Sequence, residues 1–552
     1  MYNEKIDNLL NLSLNSTPEE FLRSPVLQVG FDSDTNIWEV IAKYSGSLST
    51  LKEKFPGIAY QELLFQYAIL RIPENLIDQV AKDVQISFIE MPKNLFFSAS
   101  SGLGQGVLIA IVDSGIDYAH PDFRNPDGTS RIVLLWDQTL GRVFDQQQLN
   151  QALKAPTVQE QYRLVPSRDL SGHGTHVAGI AAGNGRASDG AYLGIAPEAS
   201  LIVVKLGVQR PEAFPKTTEL MSGVDFCLRQ AYAMQMPIVI NLSFGNNYGG
   251  HDGSSLLETY LESASSFWKS LIVTGTGNEG ASNVHTQGRL LATSSVLPVQ
   301  TETNIPFAVG EYNTGFNIQL WKNFVDEMEI SLIDPSGENL GILSPSLGTQ
   351  RFLTNQTDVL VYYGMPAPYS ASQELFFDFI PRASYIDSGI WNLRLRPIRI
   401  VDGTYHLWLP GQATLGAGSG FLNPTQEVTL TIPSTTAKVL SVGAYDARTL
   451  TMASFSGRGF TRITNLVKPD VVAPGVDIIA PSVGGGYTSR SGTSMAAPYA
   501  SGKAALMMEE GIIKGNDPFL FGSKIIAYMH RLALPLPGYS VYPNPITGWG
   551  RI

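Results

Sequence analysis

The hydrophobic pattern divides the chain into stretches of three kinds. Between residues 37 and 90 the apolar runs are short and change period often. Ile37–Tyr44 reads as a strand, Leu48–Phe55 as a short helix stopped by Pro56, and Ala59–Phe65 and Tyr67–Ile72 as two strands. Pro73 opens a helix reaching Lys82, and Val84–Glu90 is a last strand. The order β-α-β-β-α-β is the ferredoxin-like split motif, which by itself assigns no function. Residues 1–30, ahead of it, read as a short polar-apolar helical arm.

The second kind of stretch is nearly all apolar. Gly106–Asp113, Ala199–Lys205 and Pro237–Gly245 have the uniform hydrophobicity of strands covered on both faces, and Glu219–Met234 reads as a helix between the last two. Strands alternating with helices imply an α/β fold, a parallel sheet with helices on both faces. The third kind lies between Asn278 and the strand Lys438–Tyr445. Phe316–Trp321, Met328–Ile333, Glu374–Phe379 and Ile390–Leu395 alternate apolar with polar residues, and Asp334-Pro335-Ser336-Gly337 and Asp402-Gly403 mark turns. That pattern predicts an all-β insertion, a sandwich or jelly roll. The expected organisation is an arm and ferredoxin-like unit at 1–98, an α/β domain in two parts at 99–285 and 431–552, and the β insertion at 286–430.

Composition narrows the partners. A formal charge of −11 and a pI near 5.2 argue against nucleic acid or an anionic membrane surface as partner. The single cysteine, Cys227, excludes an intramolecular disulfide framework and falls in a helical stretch where a buried thiol is expected. The N-terminus lacks a basic flank followed by a long apolar core, and no apolar run is long enough to span a bilayer. The expectation is a monomeric, cytoplasmic protein that stays where it is made.

Chemistry concentrates in three stretches. Asp113 ends an apolar strand and begins Asp113-Ser114-Gly115-Ile116-Asp117, at the carboxyl end where α/β sheets place functional groups. Gly172-His173-Gly174-Thr175-His176-Val177-Ala178-Gly179 starts a helix near His173. Its two histidines lack an intervening acidic base and an evident third ligand, so a metal site is not expected and His176 reads as a packed neighbour. Gly492-Thr493-Ser494-Met495-Ala496-Ala497-Pro498 puts Ser494 in the first turn of a helix, near unpaired N–H groups. A fourth stretch, Val273-Thr274-Gly275-Thr276-Gly277-Asn278-Glu279-Gly280, offers a side-chain amide.

These motifs, in the order Asp, His, Ser, resemble the signatures of the subtilisin-like serine proteases, the subtilases of peptidase family S8. The resemblance covers residues 104–285 and 426–552, including Lys468-Pro469-Asp470-Val471-Val472-Ala473-Pro474-Gly475. It implies an endopeptidase with Ser494 as nucleophile, His173 as general base, Asp113 as the group orienting the base, and Asn278 as oxyanion-hole donor. Leu242, Ser243, Phe244 and Gly245 would bind substrate backbone and border the specificity pocket. The ferredoxin-like unit would be a folding and inhibitory propeptide, cut before Ser100 if cut at all and retained non-covalently. Many members carry calcium after the His helix, but Gly183–Tyr192 has few oxygen ligands and an arginine, so neither metal nor cofactor is expected. Together with the β insertion, this start is similar to the Csp germination proteases of clostridial spores. They activate a spore-cortex lytic enzyme precursor, and some relatives act as non-proteolytic regulators.

Overall fold

The structure is a computed structural model that describes residues 3–18, 21, 30–63, 66–91, 102–207, 215–291, 302–346, 348–366 and 370–552. The chain forms two compact units, Met1–Ala99 and Ser100–Ile552. The inserted sheets thus belong to the same unit as the α/β sheet.

In the first unit, strand Ile37–Tyr44 is central. Tyr67–Pro73 pairs with one edge of it and Ala59–Leu63 pairs beyond, while Phe31–Asp32 and Ile86–Glu90 pair with it on the other side. Helices Leu48–Lys54 and Ile77–Lys82 cover one face, and Trp38, Val40, Leu51, Leu70, Ile77 and Val80 form the core between them. The arm contributes a helix at Asn8–Asn15, with Ile6 and Leu10 in that core.

The second unit is built on strands β1 (Leu108–Asp113), β2 (Ile132–Asp137), β3 (Arg142–Asp145), β4 (Ser200–Lys205), β5 (Ile238–Leu242), β6 (Ser270–Gly275), β7 (Leu440–Asp446), β8 (Thr451–Met452) and β9 (Val471–Pro474). Their order is β8-β7-β6-β5-β1-β4-β2-β3, with β9 also on β7. Only β3 and β8 run antiparallel to their neighbours. Alternate side chains of β1 enter two different cores. Ile109 and Ile111 pack with helices α1 (His173–Ala182) and α4 (Thr493–Met508); Leu108, Ala110 and Val112 pack with α2 (Thr217–Met234) and α3 (Leu256–Ala264). Burial on both faces is why these strands read as unbroken apolar runs. Cys227 is fully buried on α2, and burial pushes its thiol pKa up. No helix among the described residues is long and apolar enough to cross a membrane.

The insertion leaves the sheet after β6 and returns at β7. It forms two antiparallel sheets, one of six strands from His285–Arg289 to Gly348–Leu353 and one of five from Asn339–Ile342 to Gly420–Phe421. Ile318, Leu320 and Phe377 of the first sheet share one core with Trp391, Leu393 and Phe307 of the second. Alternation along Phe316–Asn323 and Gly389–Arg399 follows from that arrangement, because each strand has one face inward.

Candidate active site

Val112, Leu242 and Thr274 stand in register across β1, β5 and β6, so Asp113, Ser243 and Gly275 leave the sheet at one end. Asp113 is fully buried, and its Oδ1 lies 2.7 Å from His173 Nδ1 while accepting from the Ser114 N–H at 2.7 Å. His173 is the first residue of α1 and its side chain is one-quarter exposed (25%). Burial opposes charge on this ring, but the Asp113 carboxylate and its hydrogen bond outweigh that, so the pKa sits above its ordinary value of 6.5.

The pairing is set by a residue that the sequence motifs did not single out. The helix N-cap is Gly172, at φ 69°, and it has no side chain to cap with. Asp169 does that instead: its carboxylate accepts from Gly172 N–H and Thr175 N–H at 2.9 Å each and from Thr175 Oγ1 at 2.7 Å. It also accepts from Ser114 Oγ at 2.9 Å, and Ser114 Oγ takes the Gly174 N–H at 2.9 Å. One buried carboxylate thereby ties the Asp113 turn to the His173 helix. Gly174 permits the approach, since a Cβ there would stand 2.2 Å from the Gly115 carbonyl oxygen. His176 is fully buried, with Nε2 at 3.1 Å from the Ile478 and Thr488 carbonyls, and burial pushes its pKa down to about 4. It is a packed neighbour, as its place in the motif suggests.

Ser494 is the second residue of α4, whose start is pressed against the end of β6. A Cβ on Gly275 would lie 2.8 Å from Thr493 Oγ1. Asn278 Oδ1 accepts from Thr493 N–H at 3.0 Å and from Thr493 Oγ1 at 3.2 Å. The acceptor end of this amide is thus committed to the start of α4. Ser494 Oγ donates to the Ser243 carbonyl at 3.4 Å, a long contact; among the described residues it makes no hydrogen bond to His173. The Ser243 hydroxyl donates back to the Ser494 carbonyl at 3.4 Å and accepts from Asn241 Nδ2 at 2.9 Å. Asn241 in turn takes the Ser501 hydroxyl of α4 at 3.0 Å. Segment Leu242–Gly245 is thus anchored to the helix that carries Ser494, and the Phe244 ring stands 6.1 Å from that of His173. The strand read as 237–245 ends at Leu242 because Ser243 turns out of the sheet to meet Ser494.

Beside Phe244 and Gly245 opens a cavity of about 500 Å³, walled by Leu206, Leu220, Leu257, Ile432 and Pro433. The loop bordering it, Asn246–His251, is held by the insertion. Gln319, 2% exposed, accepts from Gly249 N–H at 2.9 Å and donates to the Asn247 carbonyl at 3.3 Å, and Asn247 Nδ2 donates to the Leu409 carbonyl at 3.1 Å. In the loop after α1, Arg186 donates to the carbonyls of Arg124 and Asn125, so a fixed guanidinium already engages these oxygens.

Residues 104–372 and 416–513 match the subtilase family, so the chain belongs to that family of serine peptidases, and residues 4–93 match the Csp protease B prodomain. Within that class, a solved structure of the Clostridium perfringens CspB protease is 35% identical, superposes with a TM-score of 0.76, and matches 82% of this chain and 92% of that one. The minor extracellular protease Vpr of Bacillus subtilis (strain 168) is 26% identical over 463 residues, 81% of this chain and 50% of that protein. The PII-type proteinase of Lactococcus lactis subsp. cremoris is 25% identical over 469 residues, 75% of this chain and 23% of that protein. The chain therefore spans half or less of the length of these two relatives.

Proposed function

We propose that this chain is an endopeptidase that makes limited cuts in a protein precursor, with Asp113, His173 and Ser494 as its triad. The observation that carries the reading is the 2.7 Å pairing of a fully buried Asp113 with a partly exposed His173, at the same end of the sheet as the Ser243 segment that is hydrogen-bonded to Ser494. In this reading the Ser494 hydroxyl gives up its contact with the Ser243 carbonyl and takes His173 as its base. His173 takes the proton as Oγ attacks the peptide carbonyl and returns it to the leaving amine, while Asp113 holds the tautomer and stabilises the imidazolium. The Asn278 amide and the Ser494 N–H receive the oxyanion. The acyl half lies along Leu242–Gly245, with its P1 side chain in the apolar cavity beside Phe244.

The substrate we assign is the precursor of a spore-cortex lytic enzyme, a reading supported by the likeness to the CspB protease and by the prodomain. The prodomain is removed by self-cleavage before Ser100 and stays bound to a monomeric, cytoplasmic or spore-associated enzyme; the connecting residues 92–101 lie outside those described. The long Ser494–Ser243 contact favours the second reading, a non-proteolytic regulator on the same fold. A fluorophosphonate probe separates the two, because labelling at Ser494 requires an assembled triad. Ser494→Ala abolishes cleavage while changing stability by no more than about 2 kcal/mol. It also leaves the chain full-length on a denaturing gel, where the parent releases its prodomain. Peptide turnover by the variant within tenfold of the parent overturns the assignment.

A further inference from the structure

The strand pair Ile478–Pro481 and Tyr487–Arg490 ends four residues before Ser494, and its last side chain, Arg490, has no use in the mechanism above. Arg490 Nη2 donates to the Ser171 carbonyl at 2.9 Å, and a Cβ on Gly172 would lie 3.3 Å from the same nitrogen. The guanidinium therefore lies against the start of the His173 loop. Its charge reaches both neighbouring imidazoles, where it works against protonation of His173 and of His176. Other arginines near this end of the fold are matched: Arg448 pairs with Asp446 and Asp477, and Arg462 with Asp252. Among the described residues no carboxylate forms an ion pair with Arg490, and its one recorded hydrogen bond leaves most of its five N–H donors unused. Asp169, the acid of the same loop, already accepts from Ser114, Gly172 and Thr175.

The direction of the substrate says what would meet it. The acyl half is held by Leu242–Gly245, and Phe244 faces the His173 ring from that side. Arg490 lies instead against Ser171 and Gly172, just ahead of the His173 helix, and the leaving half departs past His173 once its nitrogen has been protonated. We propose that Arg490 is a specificity residue for the leaving half, selecting a carboxylate side chain (Asp or Glu) within the first two residues after the scissile bond. The inference rests on the peptidase reading. A partly exposed arginine with a planar donor fork suits a carboxylate better than a lysine would. It also gives a protein of formal charge −11 a local positive point at its cleft.

The test uses purified full-length protein and internally quenched peptides that differ only in carrying Glu, Gln or Lys at those two positions. The parent is expected to prefer Glu over Gln in kcat/KM by about fivefold at low salt, the upper range for an exposed ion pair, and less at high salt. Arg490→Gln brings that ratio to about one, Arg490→Lys keeps part of it, and Arg490→Glu turns the preference towards Lys. Because the readout is a ratio within each variant, a general loss of activity does not mimic the result. A Glu-over-Gln ratio that is the same in the parent and in Arg490→Gln overturns the assignment while leaving the peptidase reading intact. A parent that cleaves none of the peptides and resists the fluorophosphonate probe overturns both.

Discussion

Asp169→Ala removes the carboxylate on which the geometry of the Asp113–His173 pair converges. Asp169 is 4% exposed and takes hydrogen bonds from two backbone N–H groups, Gly172 and Thr175, and from the hydroxyls of Thr175 and Ser114. Gly172 and Thr175 are themselves buried, so both N–H groups lose their partner without full access to water. Loss of a helix cap costs about 1 kcal/mol, and stranding buried donors of a charge-assisted bond raises the total to about 2–4 kcal/mol. Activity should fall further than stability implies. His173 is the first residue of the released helix, and Ser114, next to Asp113, loses its tie as well. A displacement of the order of 1 Å at a catalytic pair is worth about 100-fold in rate. KM should change little, because Leu242–Gly245 is anchored to α4 through Asn241 and Ser501 rather than through Asp169. Urea unfolding, together with kcat and KM on a single peptide, measures both quantities. The conservative Asp169→Asn, which keeps one acceptor oxygen, should fall between parent and alanine. A stability loss below about 0.5 kcal/mol with kcat unchanged would refute the claim that this carboxylate holds the pair together.

Other outcomes follow from the same geometry. Asn278→Ala should lower kcat by about 100- to 1,000-fold with a small change in KM, since the oxyanion bond forms in the transition state; a pure KM effect would move Asn278 to substrate binding. For pH, burial opposes His173 protonation but the Asp113 carboxylate more than offsets it, so kcat/KM should fall on the acid side with a midpoint above 6.5. Asp113→Asn should move that limb to lower pH. The stability supplied by the charged pair runs the other way: it is complete below the unfolded pKa of about 6.5 and is lost as pH rises through the higher folded value. Gln319→Ala should raise KM with kcat within about threefold of the parent, because it frees the loop beside the cavity at a cost of about 1–2 kcal/mol.

The buried strands and the triad loops were legible because each follows a short-range rule. A strand covered on both faces must be continuously apolar, as Gly106–Asp113 is. A helix that opens against a neighbouring turn needs a small residue at the contact, as Gly174 is at Gly115. What stayed hidden depends on contacts between distant segments. Asp169 carries no local signature, since the N-cap it replaces is Gly172 and its partners reach back to Ser114. Gln319 is one polar position in an alternating strand, and only the placement of that strand against Asn246–His251 gives it a role. Arg490 belongs to a strand pair outside the main sheet, and only the folded chain shows that no carboxylate among the described residues forms an ion pair with it. The orientation of the Ser494 hydroxyl is likewise invisible in the motif that contains it.

The insertion is coupled to the site by where it enters the chain. It leaves immediately after the Asn278 segment and returns at β7, which pairs in parallel with β6, so its two ends are fixed to the strand that precedes Asn278. Its contact with the catalytic part joins rings to an arginine: Arg462 lies over the Trp321 ring at 5.0 Å and donates to Ser372 Oγ at 3.2 Å. His251 of the loop stacks on Trp408 of the insertion at 4.2 Å and 9°, and within the insertion His285 stacks on the same indole at 4.6 Å. His406 lies 3.2 Å from His285 through Nδ1 and Nε2. Burial pushes the three imidazoles down to about 4, 3 and 2 respectively, so they are neutral across the working range of the enzyme and pack as flat aromatic surfaces. His251 Nδ1 also meets the Leu430 carbonyl at 2.7 Å, and Ile432, two residues on, exchanges backbone hydrogen bonds with Asn246. Stack, Gln319 and backbone pairing all converge on the single loop that follows Leu242–Gly245. An insertion at this point therefore braces from behind the loop that borders the cavity beside Phe244.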